Sequence, residues 1–237
     1  MIRTGTIEKA REERRHEVLP NGTGYWRNRL ITSDSGPVSP QAYLVEQDPN
    51  SVIEPHFHLE NEFQVVVEGN GFFGRHVVEP VRVHYTGAHT GYGPISAGPG
   101  GLSYFTLRAH TDPGAKFLPG ARDLMDKRPK RHILGAAVPP DAPGDLAART
   151  DVEVVKIWPV QPDGIGAWML RLPPGSSATT PLRSRAGAYL VVIGGALLLD
   201  GVRLPRFATV FFLENTMPSL RAGEEGLELL VLQFPNT

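Results

Sequence analysis

Short apolar segments, separated by glycine and proline, recur along the whole chain. Residues 63–67, 81–85, 102–107, 189–193, 208–213 and 227–234 are each rich in Val, Phe, Tyr or Leu. Apolar runs this short, bounded by turn residues, predict β-strands, because glycine supplies positive φ and proline ends a ladder. Only residues 7–19 read as helical. There four acids (Glu8, Glu12, Glu13, Glu17) alternate with four bases (Lys9, Arg11, Arg14, Arg15) along a thin apolar stripe, which predicts a solvated N-terminal helix or arm.

The strand pattern occurs twice. At an offset of 125 residues Pro49 falls on Pro174, Ser51 on Ser176, Val66 on Val191, Val67 on Val192 and Gly69 on Gly194. Further on, Ala97-Gly98-x-x-Gly101-Leu102 falls on Ala222-Gly223-x-x-Gly226-Leu227. One offset held across widely separated turns implies two similar β units, over roughly 38–110 and 163–235. The intervening residues 112–150 carry six prolines and seven lysines or arginines without periodicity, and predict a connector outside both units. The division expected is therefore an arm (1–37), a first barrel (38–111), a Pro-rich connector (112–150) and a second barrel (151–237).

Composition removes several function classes. With 24 Lys+Arg against 25 Asp+Glu the net charge is -1, so a general nucleic-acid binder is not expected. The basic run Lys127-Arg128-Pro129-Lys130-Arg131-His132 reads as a solvated loop. No cysteine is present, which rules out disulfides, thiolate metal ligands and cysteine nucleophiles. The longest apolar run, 188–199, falls short of the ~20 residues of a membrane span, and the N-terminus has no signal-type stretch. No membrane association and a cytoplasmic location are the expectations. Neither a phosphate loop nor a strand-linked dinucleotide fingerprint occurs.

Histidine is the informative residue. Five of the eight histidines lie between 56 and 89, centred on Pro55-His56-Phe57-His58-Leu59-Glu60-Asn61-Glu62. On a strand, positions i and i+2 face one side, so His56 and His58 present both imidazoles together, and a neighbouring strand can add Glu62. Two imidazoles and a carboxylate suit a divalent first-row metal.

Asn50-x5-His56-x-His58-x3-Glu62-x6-Gly69 resembles the first motif of the cupins, Gly-x5-His-x-His-x(3,4)-Glu-x6-Gly. Asn50 replaces the glycine, and asparagine also tolerates a left-handed turn; Gly175 stands at the equivalent place in the second unit. The resemblance implies an all-β bicupin: tandem double-stranded β-helix barrels, with His56, His58 and Glu62 pointing into the first and holding Fe, Mn, Ni or Zn. The cupin second motif normally adds a third histidine, and here Gly93 or Pro94 aligns with it. His84, His89 and Tyr92 are the nearby candidates to substitute or to contact substrate, as is Gln64, which shares the parity of Glu62. At the offset of 125, positions 56, 58 and 62 become Pro181, Arg183 and Gly187, so the second barrel is expected to be metal-free. The function expected is a metal-dependent enzyme, dioxygenase-like, acting on a small organic molecule in the first barrel. The alternatives are a non-catalytic small-molecule-binding bicupin and a metal-free isomerase with a histidine base. The resemblance and the need to protect strand edges also imply a homodimer.

Overall fold

A computed structural model describes residues 1–32, 38–179, 186–213 and 219–236. Its contacts divide the chain into two compact units, Ala10–Ala137 and a second made of Met1–Lys9 with Val138–Thr237. Each is an antiparallel β structure, as the apolar runs require. Each of those six runs overlaps a strand, although the run 81–85 enters its strand only at Val83.

In the first unit the sheet runs, in spatial order, His132–Leu134, Val83–Thr86, Glu62–Phe73, Ile95–Arg108, Gln41–Gln47, Gly24–Ile31 and Arg15–Val18. Val52–Ile53 pairs on Ile95–Arg108 and His76–Val78 on Glu62–Phe73. A separate two-stranded sheet joins His56–Phe57 to Lys116–Phe117. The second unit repeats the plan: Ile2–Gly5, Thr209–Phe212, Ala188–Leu199, Leu220–Gln233, Gly166–Leu172 and Glu153–Trp158.

The repeat holds, with a correction to its register. Gln41–Gln47, Val52–Ile53 and Ile95–Arg108 map onto Gly166–Leu172, Ser177–Ala178 and Leu220–Gln233 at 125 residues. Glu62–Phe73, His76–Val78 and Val83–Thr86 map onto Ala188–Leu199, Val202–Leu204 and Thr209–Phe212 at 126. Gly69 therefore corresponds to Gly195, not Gly194. Both have positive φ, 74° and 65°, and both sit where a Cβ would stand 2.2 or 2.0 Å from a carbonyl oxygen, of Gly101 or Gly226 respectively. Only glycine fits such a bulge. Asn50, at φ 55°, takes the left-handed turn that Gly175 takes at 66°, as its residue type suggested.

Register decides what fills each barrel. The counterpart of Glu62 is Ala188, not Gly187, since Glu62 pairs with Arg108 and Ala188 with Gln233. By the same mapping Gln64 becomes Leu190 and His84 becomes Val210. Ala188, Leu190, Val192, Val210, Leu229 and Val231 belong to one buried apolar cluster with Trp168 and Leu170. Apart from Gln233, the buried counterpart of Arg108, these positions of the second barrel are hydrocarbon where those of the first are polar. Positions 181 and 183 lie outside the described residues.

Two expectations about the flanks are overturned. The charged N-terminal stretch is helical only over Ile7–Glu12, and Arg15–Val18 is a strand pairing with Gly24–Ile31. Exposed charges alternate as readily on an edge strand as on a helix, and Arg14 over the Trp26 ring (4.1 Å) and Arg11 on Glu46 (2.9 Å) tie the segment to the sheet. No free arm exists, because Ile2–Gly5 pairs with Thr209–Phe212. The connector is likewise divided. Lys116–Phe117 and His132–Leu134 pair within the first unit, while the short helix Pro143–Ala147 buries Leu146 in the second. Among the described residues no helix is long and apolar enough to cross a membrane.

Candidate metal and ligand centre of the first barrel

Backbone pairing brings the site together. His56 and Tyr92 face each other across an antiparallel bridge, the His56 N–H donating to the Tyr92 carbonyl at 3.0 Å and the Tyr92 N–H to the His56 carbonyl at 2.9 Å. Residues opposed in this way carry their side chains on one face, and the Tyr92 hydroxyl lies 2.9 Å from His56 Nε2. Glu62 opposes Arg108, and Gln64 opposes both Thr106 and His84. Along Ile95–Arg108 the alternation Tyr104-x-Thr106-x-Arg108 turns these three side chains to the cavity, which has a volume of about 230 Å³.

Both imidazoles are oriented by their outer nitrogens. His56 Nδ1–H donates to the Glu54 carbonyl at 2.7 Å, and His58 Nδ1–H to Asp112 Oδ1 at 2.7 Å. Asp112 is held in turn by the N–H groups of Leu59 (2.8 Å) and Gly114 (2.7 Å). A fixed Nδ1–H turns Nε2 inward, and His58 Nε2 lies 3.8 Å from Glu62 Oε2. Glu62 is fully buried. It ion-pairs with the buried Arg108 through Oε2 and accepts the Tyr92 hydroxyl on Oε1 at 2.7 Å. Gln64 Nε2 donates to the same hydroxyl at 3.0 Å, and its Oε1 accepts from His84 Nδ1–H at 2.7 Å.

These contacts set the charge states. Burial pushes the Glu62 carboxyl up, but Arg108, His58 and the Tyr92 hydroxyl outweigh it and hold it below the usual carboxylate range. Burial, reinforced by the Glu62 charge, raises the Tyr92 phenol well above its ordinary value. Burial, with His58 adding to it, lowers His56 to about 4; burial and the neighbouring His132 lower His84 to about 3. Asp112 falls to about 2, its burial being outweighed by His58 and Arg108.

A pH dependence of stability follows. His56 and His84 stay neutral in the folded protein while the unfolded chain takes up protons near 6.5. Their contribution is complete above about pH 7 and is lost as pH falls from 6.5 towards 4 and 3, by up to about 1.4 kcal/mol per pH unit for each. Glu62 and Asp112 contribute above their ordinary values of 4.5 and 3.8 and lose that contribution on further acidification. Urea midpoints of the metal-free protein should therefore drop from pH 7 to pH 5 and drop more steeply below 4.5. A flat profile between 7 and 5 would contradict the neutral buried imidazoles.

The donor set suits a divalent cation, although among the described residues no three His, Asp or Glu side chains stand at metal-ligand geometry. Tyr92 has one hydroxyl hydrogen and faces two acceptors, His56 Nε2 and Glu62 Oε1. One acceptor is left short in a buried place, where an unmade hydrogen bond is costly, and a cation between them supplies what is missing. Glu62 keeps Oε1 for this purpose because Arg108 takes Oε2. Tyr92 thus stands where the third histidine was sought. Of the other sequence candidates, Gln64 and His84 join the cluster. His89 does not: it sits at φ 56° with its ring stacked on Phe57 at 5.9 Å and Nε2 3.7 Å from Asp126. Sequence reasoning missed Arg108 and Asp112. The first was signalled by the polar alternation from Tyr104, the second by nothing local.

No protein-family profile matches the chain, and no curated protein sequence matches it. Solved structures do. The "putative dioxygenase" of Nostoc punctiforme superposes with a TM-score of 0.69 at 12% identity, covering 100% of this chain and 83% of that one. The nickel(II) complex of the bacterial pirin YhhW from Escherichia coli gives 0.58 at 13%, covering 100% of both chains. Oxalate decarboxylase of Lactobacillus farciminis, in its formate complex, gives 0.59 at 13%, covering 98% of this chain and 86% of that one. At such identities the likeness is one of fold: the chain has the repeated antiparallel β-barrel architecture of these structures, the architecture that its resemblance to the cupins implied.

Proposed function

We propose that the first barrel holds a divalent metal ion on His56, His58 and Glu62, and that the protein acts on a small organic molecule beside it as an oxidoreductase of dioxygenase type. The observation that carries this reading is the pair of imidazoles whose Nδ1 atoms are held from outside, leaving His58 Nε2 3.8 Å from the buried Glu62 carboxylate and His56 Nε2 on the Tyr92 hydroxyl that donates to that carboxylate. When bound, the ion would supply a Lewis acid and a redox centre. The chain's own residues do the rest. Tyr25, Tyr43, Tyr104 and Phe117 wall the cavity and exclude water. Gln64 Nε2–H orients the Tyr92 hydroxyl, which keeps its proton and donates it as a hydrogen bond at Oη. Arg108 neutralises the second oxygen of Glu62. The nickel(II) complex and the dioxygenase description among the similar folds point the same way.

One observation favours a second reading. Arg108 already balances Glu62, so the cluster needs no further cation for charge neutrality, as in a metal-free binding or acid–base module. Titration of metal-free protein with Fe(II), Mn(II), Ni(II) or Zn(II), beside His56→Ala and Glu62→Ala, separates the two. Both variants should lose at least tenfold in affinity at this centre, and the loaded wild type should consume O2 with some member of an aromatic and keto-acid panel. Equal binding by wild type and both variants would leave the metal-free reading.

A further inference from the structure

Beyond Tyr92 lies another cavity of the first unit, of about 500 Å³, with His76, His84 and His132 in its wall and no carboxylate among its lining residues. His84 is buried and His132 exposed. The strand His132–Leu134 pairs with Val83–Thr86, which sets the two rings side by side, centroids 5.6 Å apart and planes at 17°. Each ring has one nitrogen committed to an oxygen that only accepts: His84 Nδ1 to Gln64 Oε1 at 2.7 Å, His132 Nε2 to the Gly91 carbonyl at 3.1 Å. The remaining two, His84 Nε2 and His132 Nδ1, face each other at 3.4 Å. In neutral rings neither carries a hydrogen, so two lone pairs meet head to head.

Turning the Gln64 amide over does not cure this. From the Gly91 carbonyl through His132, His84, Gln64 and Tyr92 to Glu62, and through His56 to the Glu54 carbonyl, there are seven contacts. Each of the three neutral imidazoles, the phenol and the amide places one hydrogen along this path. Five hydrogens serve seven contacts, and two contacts stay short in every arrangement. One deficit lies at the Tyr92 hydroxyl, or at the Glu54 carbonyl when His56 carries its hydrogen on Nε2. The other falls between the two histidines when His84 Nδ1–H donates to Gln64 Oε1 and His132 Nε2–H to the Gly91 carbonyl.

We propose that His84 Nε2 and His132 Nδ1 are ligands of a second divalent cation, of the kind that favours imidazole, such as Zn(II), Cu(II) or Ni(II). Their 3.4 Å separation is roughly the span of two nitrogens bonded at ~2.0–2.1 Å to a tetrahedral ion. His76, on the same wall, is the third ligand after a change of rotamer, and water or an anion completes the set; Arg75, also in the wall, favours the anion. The site needs none of His56, His58 and Glu62 and is independent of the function proposed above.

Calorimetric titration of the full chain with Zn(II) at pH 7.5 tests it. Wild type should take two equivalents. His132→Ala and His132→Gln, at an exposed position, should each lose one equivalent or at least tenfold of its affinity, and His76→Ala should weaken the same step. Loss of an equivalent on His132→Ala with none on His56→Ala would uphold this site and remove the barrel-centre metal. Unchanged stoichiometry and affinity in both His132 variants would overturn the proposal and assign the 3.4 Å contact to a shared proton.

Discussion

Replacing Arg108 by methionine should cost about 3–5 kcal/mol of stability at pH 7, the penalty typical of removing one partner of a buried ion pair. Glu62 is 0% exposed and Arg108 4%, and among the described residues Arg108 makes the closest ion-pair contact with the Glu62 carboxylate. Without the guanidinium, the carboxylate must stay charged in a dry place or take up a proton. The deficit should shrink on acidification to pH 5, as Glu62 protonates, and in the double variant Arg108→Met/Glu62→Gln, which removes the orphaned charge. Urea unfolding of wild type, both single variants and the double variant measures the coupling. A single-variant loss below about 1 kcal/mol would show that water reaches Glu62 and that the pair is not holding the barrel floor.

Replacing Tyr92 by histidine should raise divalent-metal affinity at the barrel centre at least tenfold, or about 1.4 kcal/mol. The Tyr92 hydroxyl lies 2.9 Å from His56 Nε2 and 2.7 Å from Glu62 Oε1. An imidazole carried on the same backbone bridge would bring a nitrogen ligand where a phenol of raised pKa now holds its proton. Tyr92→Phe separates ligand gain from loss of the hydroxyl, since it removes the hydrogen bonds and adds no donor. Ni(II) or Fe(II) titration of the three proteins is the measurement. Affinity in Tyr92→His no higher than in Tyr92→Phe would mean that position 92 does not reach the metal.

The limits of the sequence reading follow from distance along the chain. His56, His58 and Glu62 were legible because strand parity is a local property: spacings of two are kept whatever the strand pairs with. The turns at Asn50, Gly69 and Gly101 were legible for a similar reason, since left-handed backbone restricts residue type at a single position. The repeat was visible wherever such turns recur. Its shift from 125 to 126 residues was not, because one inserted residue leaves the apolar character of a buried strand unchanged while moving every pairing by one.

What the sequence determined by itself is therefore an all-β chain of two similar units, only the first of which bears an inward-facing pair of imidazoles and a carboxylate. Tertiary structure decided their partners. Arg108 meets Glu62 across 46 residues, Tyr92 meets His56 across 36, Asp112 meets His58 across 54, and His132 meets His84 across 48. Each meeting depends on strand register or loop path, which the whole packed barrel selects through many contacts at once. The same register turned Arg15–Val18 into a strand and drew Lys116–Phe117 and His132–Leu134 out of the expected connector. No local pattern encodes register, because a strand's alternation is satisfied equally by pairings two residues apart, and only the filled barrel distinguishes them.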